Sequence, residues 1–131
     1  MSEPASTPLS IGLKIFSVFS MATGTADVIG GHKLIIPASE RALLPRPTLS
    51  VVDNQLRFLG AAWGGYGAML WWASNDLQTR QGPLAVLGAV MFIAGVGRTI
   101  SGLSLGWGAS WLKVAAGIEL VIPPLIYLLG F

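Results

Sequence analysis

The sequence predicts an all-α integral membrane protein, a four-helix bundle with a kink in its fourth helix. Three observations predict it. Charged residues make up only 11% of the 131 and hydrophobic ones 53%, whereas a soluble domain is nearer a quarter charged. Four long apolar runs follow one another along the chain, each near the 20 residues that cover the hydrocarbon at 1.5 Å per residue. Glycine (17) and tryptophan (5) are abundant, the first common in membrane helices and the second at the water interface.

Residues 1–10 read as a disordered tail. They lack the positive start of a signal peptide, so the first apolar run is expected to be retained. Residues 11–131 read as a single domain with spans at about 11–29, 52–72, 83–105 and 111–129. The connector 30–49 is long and carries Pro37, Pro45 and Pro47 with His32, Lys33, Glu40, Arg41 and Arg46. The other two connectors are a short polar loop at 73–82 and a turn at 106–110. Lys33, Arg41, Arg46 and Lys113 flank one side, called B, against Lys14 and Arg80 on side A. That bias puts side B in the cytoplasm and both termini across from it. The membrane would be the endoplasmic reticulum in a eukaryote or the inner membrane in a bacterium.

Small residues recur at helical spacing. Gly60, Gly64 and Gly67 share one face, and Gly88, Gly95 and Gly102 another. Such stripes let backbones approach closely where lipid offers no hydrophobic drive for association. Packing within the bundle is the first reading, and a homo-oligomer through the stripes the second.

Several chemistries are excluded by composition. Without cysteine there is no disulfide, thiolate nucleophile or thiolate metal site. The single histidine, His32, excludes a multi-histidine metal site, and no cofactor is called for. A net charge of +2 without a basic tract argues against nucleic acid. His32 itself reads as a solvated loop residue.

The charges that remain are concentrated. Asp27, Asp53, Arg57, Arg98 and Glu119 all fall in the B-side half of their helices. Asp53 and Arg57 are four apart and so neighbours on one face. At about 3 kcal/mol per charge near the bilayer centre, unpaired groups would be prohibitive. A polar pocket of three acids around two arginines follows as the expectation. Glu119, the deepest acid, precedes Pro123 and Pro124, which cannot donate to the carbonyls of Glu119 and Leu120. A kink there would line a cavity, and Glu119 is therefore the expected general acid. The bland alternatives are a packing kink and a structural salt-bridge network.

The stretch VDNQLRFLGAAWGGYG, followed by GVGRTISGLSLG and IELVIPPLI, resembles an uncharacterised family of small four-helix membrane proteins. The similarity runs from about Gly12 to Leu128. It implies the fold and the polar positions and carries no activity. Some relatives look like companions of fungal polyketide or terpenoid pathways, which points to lipophilic substrates.

Three functions fit. The first is an acid/base enzyme acting on a lipophilic small molecule, by epoxide hydrolysis, cyclisation or isomerisation in a biosynthetic pathway. Asp53, held by Arg57, would activate water or a hydroxyl, Glu119 or Asp27 would donate a proton, and Arg98 would steady negative charge. Asn54 and Gln55 would orient the water, with Trp63 and Tyr66 against the substrate. The second is a binding or transport protein for a neutral or anionic ligand, since the arginines repel cations. The third is a structural membrane subunit in which the charges are glue.

Overall fold

A computed structural model describes residues 6–130. Among them the chain is helical with no strand: α1 (Ser6–Gly30), a 3₁₀ turn (Gly31–Leu34), α2 (Ala38–Arg41), α3 (Arg46–Ser74), α4 (Gln81–Leu105) and α5 (Ser110–Gly130). It divides into two compact units, one of residues 9–75 and one from residue 76 onward.

Two boundaries differ from the sequence reading, and prolines explain both. Ser6–Ser10, assigned to the tail, is the first turn of α1; residues 1–5 lie outside the described residues. Pro8 is tolerated there because the first N–H groups of a helix have no partner within it. Helix α3 starts at Arg46 rather than Val52, with Pro45 as its cap and Pro47 in its first turn, where the fixed φ suits a helix start.

Three described helical stretches are long and apolar enough to cross a membrane: Pro8–Leu34, Gln81–Leu105 and Ser110–Leu128. The expected fourth, α3, has the length, at 29 residues, but not the hydropathy. Its glycines, tryptophans and tyrosine are close to neutral, and its N-terminal half holds Asp53, Asn54, Gln55 and Arg57. Helix α5 continues through Pro123 and Pro124.

The polarity is that of a protein in lipid. Ile15, Phe19, Ile29, Phe58, Val86, Ile93, Ile100 and Val114 are exposed. The largest fully buried side chains are Ser17 and Ser20. A water-soluble protein would not expose so much contiguous apolar surface and enclose serine.

In the first unit α1 packs on α3 at glycine. A Cβ at Gly24 would lie 2.5 Å from the Gly60 carbonyl oxygen and 2.6 Å from the Gly64 nitrogen. One at Gly67 would lie 2.8 Å from the Ser17 carbonyl oxygen. This approach lets Ser17 donate to the Gly67 carbonyl at 2.6 Å and Ser20 to that of Trp63 at 2.5 Å. Ser10 adds a bond to the Ser74 carbonyl at 2.7 Å. Small residues open the gap, and hydroxyls then tie backbone to backbone.

In the second unit α4 buries Leu84, Leu87, Met91, Gly95 and Gly102, a stripe with helical period. Gly95 faces Glu119 and Leu120 of α5, and Gly88 faces Pro123. Both glycine stripes therefore serve packing inside the chain.

Candidate functional site

The densest polar cluster lies where α1 ends and α3 begins. Gly31 makes it possible. Its φ is +57°, and a Cβ there would collide with Asp53 Oδ1 and crowd the Arg57 guanidinium. Only glycine suits both the left-handed backbone and the close approach. The turn brings the His32 backbone N–H to Asp53 Oδ1 at 3.0 Å and its ring Nδ1 to the same oxygen at 2.7 Å.

Arg57 completes the cluster from one turn further along α3. Its Nε donates to Asp53 Oδ2 at 2.8 Å, and Nη2 reaches Oδ1 at 3.4 Å. Its Nη1 donates to the carbonyls of Val28 (2.7 Å) and Ile29 (3.1 Å). Those carbonyls belong to the last turn of α1, where no helical N–H is available. Arg57 is thus a C-terminal cap for one helix and a clamp on the acid of another.

An ionised carboxylate only accepts, so the His32–Asp53 contact requires the proton on Nδ1. In the neutral imidazole that assignment leaves Nε2 with a bare lone pair. A carboxylate holding an imidazole by Nδ1 is the arrangement by which a general base is oriented in many hydrolytic sites. The side chains of His32 and Asp53 are 20% and 26% exposed.

Asp27 sits half-buried, one and two residues before the Val28 and Ile29 carbonyls that Arg57 caps, with its Cβ close against Gly60. It makes no hydrogen bond or ion pair with another described residue. In the second unit Glu119, buried, accepts from Arg98 Nε with both oxygens, at 2.9 and 3.0 Å.

The structure thus brings together Asp53 with Arg57 and Arg98 with Glu119, each pair inside its own unit. The acid left without a cation is Asp27, where the sequence reading singled out Glu119. Asn54 and Gln55 are exposed and make no hydrogen bond to a described residue. They sit one and two positions past Asp53, on other faces of α3. Trp63 donates its indole N–H to Thr23 at 2.8 Å, meets Phe16 edge-on and stacks on Tyr66, so its polar end is occupied by α1.

His32 is the residue that the sequence reading set aside. Its signal was positional: it follows α1 by two residues and therefore emerges on the same side as the N-terminal half of α3, which carries Asp53. Among the described residues no three His, Cys, Asp or Glu side chains converge as a metal site would need.

Outside the helices, Asp76 organises the α3–α4 loop. Its carboxylate accepts from the Thr79 hydroxyl at 2.6 Å and the Thr79 N–H at 3.3 Å. These bonds, the hydroxyl's first, hold its carboxyl below the usual carboxylate range.

A family model, a domain of unknown function designated DUF4345, matches residues 8–130. The chain belongs to the DUF4345 family. The match spans both helix pairs, so the His32–Asp53–Arg57 cluster and the Arg98–Glu119 pair both lie within the DUF4345 region. No curated protein and no solved structure matches the chain.

Proposed function

We propose that this DUF4345 protein is a cofactor-independent acid/base enzyme of the membrane, acting on a lipophilic small molecule. The reaction class is epoxide hydrolysis or cyclisation, or an isomerisation. The observation that carries the reading is the 2.7 Å contact between His32 Nδ1 and Asp53, which orients a histidine and leaves Nε2 as the base.

In this reading His32 Nε2 takes a proton from water or a substrate hydroxyl, and the oxygen attacks an epoxide carbon. The C–O bond breaks and the departing oxygen takes a proton from Asp27 in its acid form. Asp53 stabilises the imidazolium, and Arg57 fixes Asp53. Solvent then returns the proton from His32 to Asp27. The exposed apolar faces of α1 and α3 give a lipophilic substrate its route from the bilayer. Four crossings, with α3 as the second and a bend of α5 at Pro123, belong to the same proposal. So does a membrane of the endoplasmic reticulum or the bacterial interior.

A second reading has its own observation. Arg57 bonds to the Val28 and Ile29 carbonyls, which is what a purely structural clamp would do. Turnover separates the two. Purified protein in liposomes is given a long-chain terminal epoxide in ¹⁸O-water, and the labelled diol is followed by mass spectrometry. The enzyme reading requires diol formation that drops by a factor on the order of 10²–10⁴ in His32→Gln with the fold intact. Epoxide conversion indistinguishable between wild type and His32→Gln supports the clamp.

A further inference from the structure

Arg98 uses one of its three guanidinium nitrogens inside the protein. Nε spans the two Glu119 oxygens, and no described residue accepts a hydrogen bond from Nη1 or Nη2. Four N–H donors remain on a side chain that is 38% exposed. They border a pocket of about 110 Å³ lined by Arg98, Ser101, Gly102, Gly106, Trp107 and Leu112.

The turn between α4 and α5 builds this pocket. Gly106, at φ +84°, reverses the chain after α4. Trp107 then folds back onto Gly102, where a Cβ would run into its indole ring. The lining combines polar residues, Arg98 and Ser101, with apolar ones, Trp107 and Leu112.

Charge and size narrow the occupant. Glu119 balances one positive charge, and Lys113 adds another, exposed on the first turn of α5. Paired guanidinium N–H groups match the oxygens of a carboxylate or phosphate. The volume is well under the roughly 300 Å³ at which pockets for whole organic ligands begin, so a headgroup fits and a whole substrate does not. Next in sequence to the lining residues Gly102 and Gly106, Leu103 and Leu105 are 80% and 88% exposed, apolar surface for an alkyl chain.

We propose that the α4–α5 turn binds the oxyanion headgroup of an amphiphile, a phosphate or carboxylate carried on an alkyl chain. Arg98 and Ser101 hold the oxygens, while Trp107 and the exposed leucines meet the chain. The site is independent of the His32 dyad, which belongs to the other helix pair, so either assignment can fail without the other.

The full-length protein in a neutral maltoside detergent is titrated with dodecyl phosphate, laurate, inorganic phosphate and dodecyltrimethylammonium, read by tryptophan fluorescence. Saturable binding of one or both alkyl oxyanions is expected, with inorganic phosphate and the cation at least tenfold weaker. The double variant Arg98→Gln/Glu119→Gln, which orphans no charge, should bind at least tenfold more weakly and melt as a folded protein. Ser101→Ala and Arg98→Lys carry the test if the double variant does not fold, each with a severalfold loss. Equal binding of the alkyl cation, or wild-type affinity in these variants, overturns the site. Inorganic phosphate binding as well as dodecyl phosphate assigns the pocket to a soluble anion and overturns the amphiphile.

Discussion

Asp53 Oδ1 accepts two hydrogen bonds from a single residue, one from the His32 backbone N–H and one from its ring. The backbone bond and the close approach of Gly31 keep the turn against the same carboxylate, within reach of the ring. A histidine fixed at both ends presents Nε2 in one direction.

Gly31→Ala should therefore lower stability by more than the roughly 1–2 kcal/mol of a left-handed alanine, since the added methyl also displaces Asp53 and Arg57. Thermal unfolding in detergent measures it. A melting temperature equal to wild type would mean that the turn is not as tight as described.

The helix pair α1–α3 offers a matched set of glycines. Gly24→Ala places a methyl within 3 Å of Gly60 and Gly64 backbone atoms and should cost at least the 1–3 kcal/mol typical of overpacking. Gly65, also in α3, has nothing within 4 Å of its Cβ position, so Gly65→Ala should be neutral or stabilising by about 0.5–1 kcal/mol. Equal effects at the two sites would contradict the packing.

Arg98→Ala strands the buried Glu119. The loss should approach the lower end of the roughly 3–5 kcal/mol range for orphaning a buried partner, since Arg98 is itself part-exposed. Adding Glu119→Gln should recover much of it, and no recovery in the double variant would mean that the arginine acts through packing alone.

Asp76 gives a pH signature outside the membrane. Its folded carboxyl titrates below its unfolded value, so its contribution is present above the usual carboxylate range and is lost as pH falls through the lower folded value. Asp76→Asn should flatten the acid limb of the stability–pH curve below about pH 4 and leave the neutral plateau's shape unchanged. An acid limb identical to wild type would remove Asp76 as a contributor.

Composition and hydropathy made the helices and their membrane character legible, because lipid demands long apolar runs and little else. The pairs Asp53–Arg57 and Arg98–Glu119 were legible in part for a similar reason: charges in apolar helices must find partners, and four-residue spacing joins the first pair. Helix α3 was misjudged at its start because two prolines read as a loop, although both sit where a helix begins. His32 was not legible from its own neighbourhood. Its role depends on Gly31 taking a positive φ, which brings residue 32 back to a carboxylate 21 positions away, and no local pattern announces that. Glu119 drew the proton-donor role because it is deep and precedes prolines; Arg98 occupies it from another helix, and Asp27 is left without a cation.

The central claim, that Asp53 holds His32 with Nε2 bare, has a direct measurement that needs no substrate. His32 is the one histidine in the sequence, so a long-range ¹H–¹⁵N correlation spectrum of labelled protein in nanodiscs, at mildly alkaline pH, reports its tautomer without assignment. The account predicts the Nδ1–H form in the wild type and a mixture richer in Nε2–H in Asp53→Ala. A wild-type ring that is predominantly Nε2–H, or a tautomer ratio unmoved by Asp53→Ala, would contradict it.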